Sequence, residues 1–353
     1  MTYVVIAFLY VSLLFYILFG GADFGAGIIE LFSPKSFKEK SRLLTYRAIG
    51  PIWEANHMWL IIAIVILFVG FPEIYSTLSI YLHIPLSLML LGIIARGTAF
   101  IFRHYDPESD NLQRLYNAIY IYSSFLTPLF LGIIAGTVIS GNIDPEAEGF
   151  LDGYIRPWLS YFPLSVGLFT VGIAGFLACV YLIGEAENEL DRKYFRQTAI
   201  YFNFSTVLAG ALVFVASEWE GMRLLETFLQ HPLSILSLVL ATISLPVLWF
   251  MIRKKHDVFA RVVAGFQVTM ILFALFYAYF PAFVIMKGQT FSLDAHTAGD
   301  STLTALGIAL LAGSILILPA LFYLIYSFQK KRFDTASDIV DSVAKDPDLP
   351  KDF

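Results

Sequence analysis

The chain has 353 residues, 58% of them hydrophobic and 14% charged, with a formal net charge of −5. Soluble globular chains are about 45–50% apolar and about 25% charged, so this composition excludes a water-soluble enzyme and places the protein in a bilayer. A single cysteine, Cys179, excludes a disulfide framework or a thiolate cluster.

A hydrocarbon core about 30 Å thick takes about 20 apolar residues per helix. Nine runs meet that length, at about 4–32, 52–71, 76–102, 117–140, 160–184, 197–217, 232–252, 259–286 and 304–328. They predict an all-α integral membrane protein with nine transmembrane helices in one polytopic domain, residues 1–333. Residues 334–353 follow as a polar, Asp-rich tail.

The first run lacks the basic flank and small-residue cleavage site of a signal peptide and is expected to stay as a span. In its "FGGADFGAG", Gly20, Asp23 and Gly27 stand at i, i+3 and i+7 on one helix face. Small residues there let a neighbouring helix approach closely. The second run opens with "IGPIWEANHMWL", which puts Trp53, Glu54, Asn56 and His57 in its first turns. The break "FPEIYS" (71–76) leaves room only for antiparallel neighbours. The third run carries Arg96 in "LLGIIARGTAFIF", with His83 about two turns in from its other end. Pro128, Pro163, Pro246 and Pro319 lie in or near spans, where kinks are tolerated. Tyr154, Trp158, Tyr161 and Trp219 read as interface anchors. Glu185, Glu187 and Glu189 after the fifth run, and Glu218 and Glu220 after the sixth, read as solvated caps.

Membrane proteins gather Lys and Arg in their cytoplasmic segments. With the N-terminus outside, 19 of the 23 Lys and Arg fall on the inner side and three, Arg156, Arg223 and Lys287, on the outer side. Arg96 completes the count from within a span. This orientation, with a cytoplasmic C-terminus, brings Asp23, Glu54 and Arg96 from three consecutive spans to one layer near the inner surface. The plain account is that these groups reach water at the interface, with Arg96 snorkelling. The sharper one is a buried acid–guanidinium network that takes up protons. Burial raises a carboxylate's pKa and an adjacent arginine lowers it, so Glu54 balanced between the two could load and release a proton near neutral pH. Asn56 and His57 beside it extend the candidate path, since such relays are commonly built from Asp, Glu and His.

A metal centre is not expected. Of the six histidines, only His57 and His83 fall within spans, near opposite surfaces, and no CxxCH haem-attachment motif occurs. Phosphate-binding and nucleophile motifs are also missing from the sequence.

"GGADFGAGIIELF" (20–32), "IGPIWEANHMWLI" (49–61) and "RGTAFIFR" (96–103) resemble subunit II of cytochrome bd-type quinol oxidases. The resemblance implies a prokaryotic cell-membrane complex that oxidises quinol and reduces dioxygen to water, building proton motive force without pumping. It implies a fold of two four-helix bundles plus one peripheral helix. It also implies a partner, subunit I, that carries haem b and haem d, while this chain ligates none. Some members hold a structural quinone in subunit II, and the resemblance leaves open whether small single-span subunits join. The family's Trp-Asp-Gly-Asn element matches Trp53, Glu54, Ala55 and Asn56, with the acid one methylene longer. Asp23 and Arg96 match the family's acid and arginine, whereas Gly20 stands where some members have a second Asp. A proton-coupled secondary transporter using the same acids is the alternative, although transporter sites lie near the midplane and these charges lie near one surface.

Overall fold

The computed structural model describes residues 1–34, 38, 42, 53–105, 110–186, 188–320 and 323, except for the side chains of 53–55, 104, 105 and 110. The Asp-rich tail lies outside these residues, as do the side chains of Trp53 and Glu54.

The chain is all-α and polytopic. Helix α1 spans Thr2–Phe32, with a π turn at Tyr16–Gly20. Then come α2 (Trp53–Gly70), α3 (Pro72–Tyr81), α4 (His83–Tyr105), α5 (Asp110–Ser140), a short α6 (Phe150–Tyr154) and α7 (Tyr161–Ile183). The second half holds α8 (Glu189–Trp219), α9 (Leu224–Gln230), α10 (Pro232–Arg253), α11 (Asp257–Tyr279) and α12 (Asp300–Ala320). Among the described residues eight helices are long and apolar enough to cross a membrane. The bent pair α2–α3, turned by 114°, makes nine if taken as one broken span.

Proline chemistry sets boundaries that hydropathy does not register. Pro72 has no N–H to give to a helix and pushes Phe71 out of the helical region, to φ −138° and ψ 61°. The apolar run 76–102 is itself divided at Leu82, where φ is −112° and ψ 18°. Pro72–Tyr81 forms its own helix and the crossing helix starts at His83. His83 is therefore exposed at the first residue of α4, its Nδ1 2.8 Å from the Ile80 carbonyl, and not two turns inside. Likewise α11 stops at Tyr279, before Pro281, and the apolar "AFVIM" becomes strand β1 (Ala282–Met286). It pairs antiparallel with β2 (Gln289–Ser292) across a turn where Gly288 takes a φ of +74°.

Helix α7 is buried for most of its length, and α1 lies against it and against α5. The contact is backbone-close: a Cβ on Gly25 would sit 2.0 Å from the Ala174 carbonyl oxygen, and one on Gly27 would sit 2.3 Å from Ser124 Oγ. Gly27 thus serves the approach expected of it. Gly20 instead faces the Tyr16 ring of its own helix. Helices α10 and α11 are joined by Gln267 Nε2 donating to the Ala241 carbonyl (3.1 Å) and Ser234 Oγ to that of Ala274 (2.9 Å). Helix α12 touches Val5 and Gly70 through Leu303 and Leu306 and is otherwise largely exposed.

Two acids read as solvated caps are structural. Glu220 Oε1 accepts the Phe162 backbone N–H (3.0 Å), and its Oε2 accepts Asn142 Nδ2 (3.0 Å), tying the end of α8 to the start of α7 and the loop after α5. Glu185 pairs with Arg261 at 2.9 Å, and the same guanidinium donates to the Tyr181 carbonyl. A charged acceptor bond is worth about 1.5–3 kcal/mol. Glu220→Ala should therefore lower the thermal midpoint of the detergent-solubilised protein, while Glu220→Gln, which keeps an acceptor, should lower it less. Lys287 Nζ, in the turn between β1 and β2, lies 3.0 Å from Asp144 in the loop after α5 and holds that carboxyl below its ordinary range. The pair's contribution is present at neutral pH and is lost as pH falls through the lowered value.

Candidate functional site

Helices α1 and α4 both pack against α5, and each brings one charge to that contact. Asp23 and Arg96 are both 1% exposed. Arg96 grips the carboxylate with both arms, Nη1 to Oδ2 at 2.8 Å and Nη2 to Oδ1 at 2.6 Å, and Nη2 also donates to the Asp23 carbonyl at 3.0 Å. Nε donates to Ser124 Oγ (3.1 Å), and Nη2 lies 3.4 Å from the Tyr120 hydroxyl. The guanidinium lies 5.1 Å from the ring centres of both Phe24 and Tyr120. This fork-to-carboxylate geometry is the strong, planar form of the ion pair, which lysine does not reproduce.

A second pair stands two turns further toward the Lys- and Arg-rich end. Glu30 follows Asp23 by seven residues and Arg103 follows Arg96 by seven, so parallel helices return both to the same faces about 10 Å along. Arg103 Nη2 lies 2.8 Å from Glu30 Oε2, and Arg42 reaches Glu30 Oε1 from 3.1 Å. Glu30 is 1% exposed and Arg103 7%. Arg103 sits 4.3 Å from the Tyr120 ring centre, so that ring lies between two guanidinium groups. Glu30 escaped the sequence reading, and Arg103 was placed with the basic inner segments. The shared +7 step from "AD" to "IE" and from "AR" to "FR" was the available signal.

The remaining candidates come from α2. Asn56 is 5% exposed. His57 is partly buried, its ring 5.8 Å from that of Phe24 and 6.3 Å from that of Tyr16, and it lies within the fields of Asp23 and Arg96. The structure thus gathers Asp23, Arg96 and His57 at one place, with Asn56 buried next to His57 in the chain. Glu54 falls on the same helix end, but its side chain is outside the described ones. Among the described residues, no group of three or more His, Cys, Asp or Glu is placed to hold a metal. His57 lies in the second turn of α2 and His83 at the first residue of α4.

A second feature had no trace in the sequence reading. A cavity of about 310 Å³ lies among α5, α7, α8, α10 and α11, with Ile17 of α1 and Leu224 and Phe228 of α9 also lining it. Its lining is aromatic and aliphatic, with Asn203, Thr206, Thr242 and Gln267 as polar points.

The family described as cytochrome bd terminal oxidase subunit II matches residues 1–328. The chain is 24% identical over 337 residues to the cytochrome bd ubiquinol oxidase subunit 2 of Bacillus subtilis (strain 168), covering 93% of this chain and 95% of that one. It is 26% identical over 195 residues to the cytochrome bd-I ubiquinol oxidase subunit 2 of Escherichia coli (strain K12), covering 54% and 50%. Its fold resembles a chain of the bd oxidase from Geobacillus thermodenitrificans, with a TM-score of 0.73 at 20% identity over 93% of this chain and 98% of that one.

Proposed function

This chain belongs to the cytochrome bd terminal oxidase subunit II family, and from that premise we propose that it is the haem-free subunit of a quinol:dioxygen oxidoreductase. Membership makes it a multi-pass membrane subunit of a quinol oxidase. In our reading haem b and haem d belong to subunit I. This chain supports that partner and supplies a path for protons from the cytoplasm.

The observation that carries the proton reading is the pair of arginine-clamped acids stacked along α1 and α4. Three guanidinium groups (Arg42, Arg96, Arg103) face two carboxylates (Asp23, Glu30). The excess positive charge of that layer attracts a further acid, and Glu54 stands in the first turn of α2. The bidentate clamp makes Asp23 the fixed partner of Arg96. Glu54 is then the acid that loads and releases the proton, with Asn56 and His57 beside it. The positions of both pairs toward one end, away from the midplane, favour this reading over a transporter site.

Purification of the tagged chain from its native membrane should bring down a larger, coloured partner with a haem reduced-minus-oxidised spectrum. A colourless chain that travels alone would overturn the oxidase reading in favour of the transporter. We also assign the cavity of about 310 Å³ to the isoprenoid part of a bound quinone, because an apolar, weakly polar-studded space suits such a tail. Leu238→Trp, which fills that space, should remove solvent-extractable quinone from the purified complex and leave the haem spectrum unchanged.

A further inference from the structure

Helix α1 continues its polar face past the Asp23–Arg96 pair. Tyr16 and Ser12 are each 1% exposed, and among the described residues neither the Tyr16 hydroxyl nor Ser12 Oγ has a hydrogen-bond partner. Ser12 is exceptional in this. Every other buried serine or threonine among the described residues is hydrogen-bonded, most to a carbonyl one turn back. Ser12 and Tyr16 are four apart and so share a face, one turn above the other.

The surroundings of Tyr16 make the orphaned hydroxyl more informative. It opens the π turn Tyr16–Gly20, a distortion frequent at functional sites. Its ring lies over Gly20, one turn nearer Asp23, where a Cβ would meet the ring at 3.3 Å. His57 is beside it, and the hydroxyl lies within the fields of Asp23 and Arg96. Both groups are buried within this chain alone, so no partner subunit can reach them without rearrangement. Buried hydroxyls in apolar surroundings are costly unless bonded, and internal water is the usual partner where no protein group is present.

We propose that Tyr16 and Ser12 hold a file of internal water that carries protons from the level of Asp23 and His57 toward the centre of the membrane. The proposal rests on the proton-uptake reading above and names the segment that follows it. Each hydroxyl oxygen accepts a proton from the water on one side as its own O–H proton passes to the water on the other. One O–H bond forms as one breaks, and no charge stays on the side chain.

The test uses the whole complex purified from native membranes, with the haem spectrum as the check on assembly and turnover measured with reduced quinol in H2O and in D2O. Tyr16→Phe, which removes only the hydroxyl, should slow turnover about tenfold. That is below the ~10²–10⁴ that a positioned proton donor contributes, because water partly refills the gap. The solvent isotope effect should rise as proton delivery becomes limiting, and Ser12→Ala should move both readouts the same way by less. Unchanged turnover and isotope effect in Tyr16→Phe overturn the proposal, and so does slower turnover with an unchanged isotope effect, which marks a packing role. If Tyr16→Phe does not assemble, Ser12→Ala decides by the same criteria. Should Glu54→Gln be silent as well, the uptake route through Glu54 fails with it. If Glu54→Gln is slow and both α1 variants are silent, only the water file fails.

Discussion

Replacing Arg96 with leucine is expected to stop the complex from accumulating, or to leave it unfolding far below the wild-type temperature. The change strands the Asp23 carboxylate, 1% exposed, without the two bonds of 2.8 and 2.6 Å that neutralise it. Breaking a buried pair from one side costs about 3–5 kcal/mol, a large share of the roughly 5–15 kcal/mol by which proteins are stable. Ser124 and Tyr120 lose a bonding partner at the same time. The double variant Asp23→Leu with Arg96→Leu should be less damaged than Arg96→Leu alone, because removing both charges leaves no unpaired ion. Such non-additivity is the signature of direct coupling. Arg96→Lys should fall between, since an ammonium cannot make the planar fork or reach Ser124 as well. Thermal unfolding of the solubilised complex, followed by haem absorbance, measures all three. Equal stability of Arg96→Leu and wild type would show that the pair contributes nothing.

Glu54→Gln is expected to act on rate. The substitution keeps size and a hydrogen-bonding end but cannot carry a proton. Positioned acid–base groups contribute about 10²–10⁴ in rate, so quinol-driven turnover should fall by about 10²-fold with the haem spectrum unchanged. Asp23→Asn should behave differently, lowering stability before it lowers turnover, because Asp23 is the partner of a fixed guanidinium. If Glu54→Gln turns over at the wild-type rate, Glu54 is not on the path, and Glu30, held by Arg103 and Arg42 at the basic end, becomes the next acid to test.

Much of the site was legible before any coordinates. Asp23, Arg96 and the Asn56–His57 element stood out because charged and polar groups are rare in apolar runs, and depth along a helix follows from simple counting. Counting brought Asp23 and Arg96 to one level, and the structure joins them by a bidentate bond. Glu30 and Arg103 were visible as letters, but they sat near run ends, where a charge costs little and so draws no notice. Glu185 and Glu220 were misjudged for the same reason, since proximity to an interface does not reveal whether a neighbouring loop supplies a donor.

What the sequence alone determined is the set of quantities that depend on one residue at a time: membrane residence, the approximate number of apolar runs and the family motifs. Transfer from water to hydrocarbon is close to a per-residue sum, so a linear reading captures it. Tertiary structure decided the quantities that depend on pairs. These are the azimuth that turns Glu30 to Arg103, the flush contact at Gly25 and the break that starts α4 at His83. They also include the cavity among the later helices and the isolation of the Tyr16 hydroxyl. Each is set by how one helix is rotated and spaced against its neighbours, and composition along a single chain does not encode that.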